Sequence, residues 1–296
     1  MAHQITSKTS ISGLLGNPIE HSVSPIFQNK LCEIMNVPSV YLPFRVMQGD
    51  LAKVVRGLQA LNVKGFNVTI PYKTQILDFL NEVSEEASLM GAVNTVKIYG
   101  DKLYGYNTDG LGFIRALESQ DVCIEDKNVV VLGAGGAARA VVVKLAQKGA
   151  KRVAILNRTQ DKAKNLSELV NERVANVAVS AELARDLIDK YAIDCDILIN
   201  TTSVGMWPDI NKCPVDSKSI FINKPVVFDM VYNPLKTKFI SIAEANFCKA
   251  INGLGMLVYQ GICAFEIWHE VSVPTKIGIE LIAVLEQYFA EMQDFR

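Results

Sequence analysis

No two of the six cysteines form a C-x-x-C pair; Cys32, Cys123, Cys195, Cys213, Cys248 and Cys263 are scattered along 296 residues. That argues against a structural zinc site and against a disulfide framework. Histidine is scarcer still, and His3, His21 and His269 have no metal-ligand spacing. Charge of one sign is also missing: the formal net charge is -1, which offers no basic face to a nucleic acid or an acidic membrane. No apolar run approaches the roughly 20 residues that span a bilayer, and Met1 to Thr9 is too polar for a signal peptide. With 49% hydrophobic and 21% charged residues, the composition is that of a folded chain, long enough for one large or two ordinary domains. The expectation is a cytoplasmic, metal-free protein with no nucleic-acid or membrane partner.

What is present alternates. "ISGLLG", "SPIFQNKLCEIMN", "VYLPFRV", "LAKVVRGLQALN" and "GFNVTI" read in turn as strand and helix, which predicts an α/β unit with a mainly parallel sheet. Two short strands around Gly100-Asp101 read as a hairpin. A second α/β segment starts near Lys127, with strands in "NVVVL", "RVAILN", "CDILIN" and "PVVFDM". After "INGLGM" the pattern is helical to the end, broken at Pro274. Boundaries are expected near Asp109 and Gly253.

The clearest cofactor signal is "VVVLGAGGAARA". Gly133, Ala134, Gly135, Gly136 and Ala137 form a turn between a buried strand and a helix, where backbone amides and the helix N-terminus favour a pyrophosphate. The spacing is not strict G-x-G-x-x-G, since Ala138 stands at the last glycine. An NAD-preferring fold places an acid at the end of the next strand to hold the ribose 2′-hydroxyl. Here that strand ends in Asn157, Arg158 and Thr159, with Lys162 close by, so cations face the position of a 2′-phosphate. NADP is favoured over NAD, although Asp161 also lies near.

Four stretches of the first half gather polar residues that a core does not need: Ser22 and Ser24 in "HSVSP", Asn67, Thr69 and Lys73 in "FNVTIPYK", Asn94 in "GAVNT", and Asp109 in "GYNTDG". Ser24 before Pro25 also fits a helix cap, and Asn94 and Asp109 fit turns. Lys73 precedes "QILDFLNEVSEEA", which has helical spacing. A lysine at a helix start faces the unfavourable end of the dipole, which disfavours its charged form.

In order, "HSVSP", "NVTIPYK", "GAVNT", "GYNTDG", "GAGGAAR", "NRT", "NTTSVGM", "DMVYNP" and "NGLGMLVYQ" resemble the shikimate dehydrogenase family over nearly the whole chain. The resemblance implies NADPH-dependent, reversible reduction of 3-dehydroshikimate to shikimate, on the route to chorismate and the aromatic amino acids. It implies two α/β domains: residues 1–109 bind substrate, a Rossmann-like NADP domain (110–253) is inserted, and helices 254–296 return to the first, with the active site in the cleft. It assigns Lys73 and Asp109 as the catalytic pair, and Ser22, Ser24, Thr69, Asn94, Tyr232 and Gln260 to the substrate. NADP(H) falls to residues 133–137, to Asn157, Arg158, Thr159 and Lys162, and to Met230 and Gly253 near the nicotinamide. Lys162 stands where many relatives carry arginine. The rival reading is a quinate/shikimate dehydrogenase using NAD or both cofactors; the expected assembly is a monomer or homodimer.

Overall fold

A computed structural model of the chain describes residues 5–215 and 218–293. His3 and the start of the polar N-terminal stretch lie outside them. The chain divides into two units, one of residues Met1–Gly112 with Leu257–Arg296 and one of Phe113–Met256. The divisions fall inside helices, just past the turn positions Asp109 and Gly253.

In the first unit, β1 (Ser10–Gly16), α1 (Ser24–Ile34), β2 (Ser39–Arg45), α2 (Leu51–Ala60) and β3 (Gly65–Val68) alternate as expected. β4 (Glu82–Val83), α3 (Glu85–Met90), the β5–β6 hairpin (Thr95–Tyr99, Lys102–Tyr106) and α4 (Asp109–Glu118) follow. The sheet order is β2-β1-β3-β5-β6-β4. It is parallel at β1–β2, β1–β3 and β4–β6 and antiparallel at β3–β5 and β5–β6. Side chains alternate across it: Leu15, Phe66 and Val96 pack toward α2 and α3, while Leu14 and Tyr41 pack with Ala264 and Trp268 from the C-terminal helices.

The single helix expected after Lys73 is not formed. A 3-10 turn covers Gln75–Phe79, the chain extends at Leu80, and β4 pairs with β6 before α3 begins. Asn81 explains the break: its backbone N donates to Leu103 O at 2.9 Å and its side-chain Oδ1 accepts from Leu103 N at 2.8 Å, so it pairs with the start of β6. Ser84 then caps α3 by accepting from Ala87 N at 3.2 Å. With no α-helix starting at Lys73, the dipole argument for its amine falls.

The second unit holds β7 (Asn128–Leu132), α5 (Gly136–Gln147), β8 (Arg152–Asn157), α6 (Gln160–Arg173), β9 (Ala178–Glu182), α7 (Arg185–Ala192), β10 (Ile197–Asn200), β11 (Val226–Asp229), α8 (Lys238–Ala245) and β12 (Ala250–Asn252). The sheet is parallel throughout, in the order β12-β11-β10-β7-β8-β9. Its central strands β7, β8 and β10 are buried on both faces, which is why "NVVVL" shows no alternation. The strand order reverses direction between β7 and β10, the switch point where doubly wound folds bind dinucleotides. α9 (Leu254–His269) and α10 (Thr275–Gln293) complete the chain. Among the described residues, no helix is long and apolar enough to cross a membrane.

Candidate active site

Lys73 leaves β3 after Thr69 and Tyr72. Its carbonyl accepts from Val93 N at 2.8 Å, which ties the turn to the approach to β5. Asp109 opens α4 directly after β6, where Asn107 Oδ1 accepts its backbone N–H at 3.1 Å. Two strand ends thus bring residues 36 positions apart into contact: Lys73 Nζ lies 2.6 Å from Asp109 Oδ2, with both side chains partly open to solvent. Asn94 Nδ2 donates to the other carboxylate oxygen, Oδ1, at 2.7 Å. The charge-assisted pair fixes the amine beside the carboxylate while 32% of the lysine side chain stays exposed.

The remaining residues assigned to substrate fall in several places. Ser22 Oγ accepts from Ser24 N at 3.3 Å, so its hydroxyl hydrogen is free to donate. Ser24 is the first residue of α1 and not its cap; the cap position is Val23, which makes no side-chain bond. Thr69 packs against Gly16, where an added Cβ would strike its methyl. Gln260, on α9, abuts Gly112 of α4: a Cβ there would stand 2.6 Å from Gln260 Cβ, so only glycine lets the helix that starts at Asp109 pass so close. Tyr232 belongs to the second unit, and burial pushes its phenol up from its ordinary value.

On the cofactor side, Gly133 has φ +111 and an added Cβ would stand 2.5 Å from Thr201 Oγ1, so the turn requires glycine twice over. Gly135 and Gly136 differ, because an added Cβ would meet nothing. No side chain caps α5, whose first-turn amides open onto that bare surface. This uncapped N-terminus fits a pyrophosphate. Arg158, Thr159 and Lys162 are exposed, and Asn157 Nδ2 donates to Thr159 O at 2.9 Å, shaping the strand end. Met230 and Gly253 meet: a Cβ on Gly253 would collide with the Met230 carbonyl.

Sequence reasoning passed over a second carboxylate. Asp229 is fully buried and accepts from Thr237 Oγ1 at 2.6 Å, Asn200 Nδ2 at 2.9 Å and Val231 N at 3.1 Å. Burial pushes its carboxyl up, against the lowering effect of those bonds. Asn200 Oδ1 in turn holds Thr202 N and Oγ1, so the network fixes the loops after β10 and β11, next to Met230. Thr95 and Thr108, both buried around Asn94, were also passed over. The available signal was a polar pair, Asn94-Thr95, in an otherwise apolar run.

A doubly wound dinucleotide fold, in a chain that also carries a paired amine and carboxylate, defines a pyridine-nucleotide oxidoreductase. Three family models match: the shikimate dehydrogenase substrate binding domain at residues 14–96, shikimate / quinate 5-dehydrogenase at 116–207, and the shikimate 5'-dehydrogenase C-terminal domain at 253–282. The chain is similar to a shikimate dehydrogenase (NADP(+)) of Alkaliphilus oremlandii, 43% identical over 93% of this chain and 96% of that one. Among solved structures it resembles a shikimate 5-dehydrogenase from Listeria monocytogenes in complex with shikimate and NAD, at TM-score 0.89 and 36% identity over 95% and 99% of the two chains. It also resembles the ligand-free 5-ketofructose reductase of Gluconobacter sp. strain CHM43, at TM-score 0.86 and 32% identity over 95% and 100%. The chain belongs to the shikimate dehydrogenase family.

Proposed function

We propose that this chain catalyses the reversible, NADPH-dependent reduction of 3-dehydroshikimate to shikimate, with Lys73 and Asp109 moving the proton. Within that family, the observation that carries the reading is the 2.6 Å contact between Lys73 Nζ and Asp109 Oδ2. NADPH, when bound, supplies the hydride. As negative charge develops on the ketone oxygen, the Lys73 ammonium stabilises it and donates a proton; in reverse, the neutral amine accepts the hydroxyl's proton. Asp109 orients the amine and balances its charge.

Ser22 and Ser24 donate hydroxyls to the substrate carboxylate. Thr69 and Gln260 line the ring, as does Asn94, whose second amide hydrogen has no partner among the described residues; Tyr232 is assigned to the substrate by its family motif alone. The bare turn at residues 133–137 holds the pyrophosphate, Arg158 and Lys162 take the 2′-phosphate, and Met230 and Gly253 border the nicotinamide. Six scattered cysteines and a charge of -1 fit a cytoplasmic monomer or homodimer without a nucleic-acid partner. Steady-state rates with shikimate or quinate, each with NADP or NAD, test the reading. The highest kcat/KM is expected for shikimate with NADP; the highest for quinate with NAD would overturn it.

A further inference from the structure

Tyr41 sits on β2 with 1% of its surface exposed, its ring 6.0 Å from that of Trp268. Asn29 of α1 clamps its backbone from both sides, Oδ1 accepting from Tyr41 N at 2.9 Å and Nδ2 donating to Tyr41 O at 3.0 Å. A buried phenol needs a partner. Its hydroxyl donates to Asn67 Oδ1 at 2.8 Å. That bond turns the Asn67 amide so that Nδ2 faces the other way, toward Asn94 O at 3.1 Å and Thr95 Oγ1 at 3.0 Å. Having accepted there, the Thr95 hydroxyl donates onward to Asn94 Oδ1 at 2.9 Å. Thr108 N and Oγ1 converge on the same oxygen at 2.8 and 3.2 Å. Asn94 Oδ1 is therefore surrounded by donors, which leaves its Nδ2 to face Asp109, and Asp109 Oδ2 to face Lys73.

Resting on the function proposed above, we infer that Tyr41 and Thr95 are positioning residues for the reaction, acting through a one-directional hydrogen-bond chain that runs Tyr41, Asn67, Thr95, Asn94, Asp109. Each link donates toward the carboxylate, so each polarises the next. Direction is what the two hydroxyls add. Without the Tyr41 hydroxyl, the Asn94 carbonyl, 3.1 Å from Nδ2, is left to set the direction of the Asn67 amide against an unsatisfied Oδ1; each time that amide turns, Thr95 donates back to Asn67 and Asn94 loses a donor. The carboxylate then holds the amine less firmly, and small displacements of a proton donor are costly to rate.

The test separates shape from hydroxyl. Thr95→Val keeps the shape and loses the hydroxyl; Thr95→Ser keeps the hydroxyl and loses a methyl group. For each, and for Tyr41→Phe, kcat and KM for shikimate with NADP are measured per site that binds NADPH by fluorescence titration, beside the thermal midpoint. Thr95→Val is expected to lower kcat about 10-fold with a smaller change in KM, and Tyr41→Phe about 3-fold. Thr95→Ser should turn over like wild type although its midpoint drops. A purely packing role predicts equal kcat per site in both Thr95 variants, and that result would overturn the inference. If Thr95→Val does not fold, Tyr41→Phe decides alone: wild-type kcat sinks the idea. Lys73→Ala run alongside distinguishes the two failures. An inactive Lys73→Ala with an active Thr95→Val removes only the hydrogen-bond chain, whereas an active Lys73→Ala removes the proton-transfer role of Lys73 on which the inference rests.

Discussion

The two units contain the same small device in different surroundings. In the first, Asn94 donates to Asp109 at 2.7 Å while its Oδ1 holds the backbone and hydroxyl of Thr108. In the second, Asn200 donates to Asp229 at 2.9 Å while its Oδ1 holds the backbone and hydroxyl of Thr202. The devices part at the last carboxylate oxygen. Asp109 Oδ2 meets the ammonium of Lys73, and its side chain keeps 17% of its surface exposed. Asp229 Oδ2 meets the Thr237 hydroxyl, and the residue has no exposure. A carboxylate that ends on a solvent-facing cation can take part in proton transfer. One that ends on buried donors can only hold them in place.

The largest expected effect breaks the first device: Lys73→Ala should lower kcat at least ~100-fold, with substrate affinity much less changed, as read from steady-state kinetics. The next change sharpens the contrast. Asp229→Ala strands three donors and should lower the unfolding free energy by about 2 kcal/mol in urea titrations, whereas Asp109→Asn should change it by less than about 1 kcal/mol while slowing turnover. Equal stability losses in the two variants would erase the distinction.

Smaller effects test each unit separately. Arg158→Leu should cut the preference for NADP over NAD about 10-fold in kcat/KM, the loss of one charge-assisted bond. In the first unit, His269 sits at the end of α9 beside the Lys97–Glu270 pair, its Nε2 without a partner among the described residues. Burial, with Lys64 and Lys97 adding to it, depresses its ring from 6.5 to about 4. The unfolded chain therefore binds the proton first, and stability falls as pH drops from 6.5 toward 4. His269→Gln should flatten that slope by about 1 kcal/mol, because solvent reaches the half-buried ring.

The backbone was more legible than the site. Strands such as "NVVVL" and "RVAILN" announce themselves because burial on both faces leaves their polar residues only at the ends, and the glycine turn follows from its strand-helix context. The stretch after Lys73 misled because apolar spacing cannot register that Asn81 pairs with Leu103, a contact made only once β6 is present. Lys73 and Asp109 stood out through family motifs, but not the residues that aim them. Tyr41 reads as an ordinary core aromatic, and Thr95 as a β-branched strand residue. Their role depends on which way each hydroxyl donates, and that is set by partners up to 28 positions away.

The most direct measurement is a crystal structure of the complex with NADP and shikimate. The account requires Lys73 Nζ within about 3 Å of the hydroxyl oxygen on the carbon that exchanges hydride, with Asp109 still beside the amine. A complex in which that oxygen touches another side chain, with the Lys73 amine turned away, would contradict it.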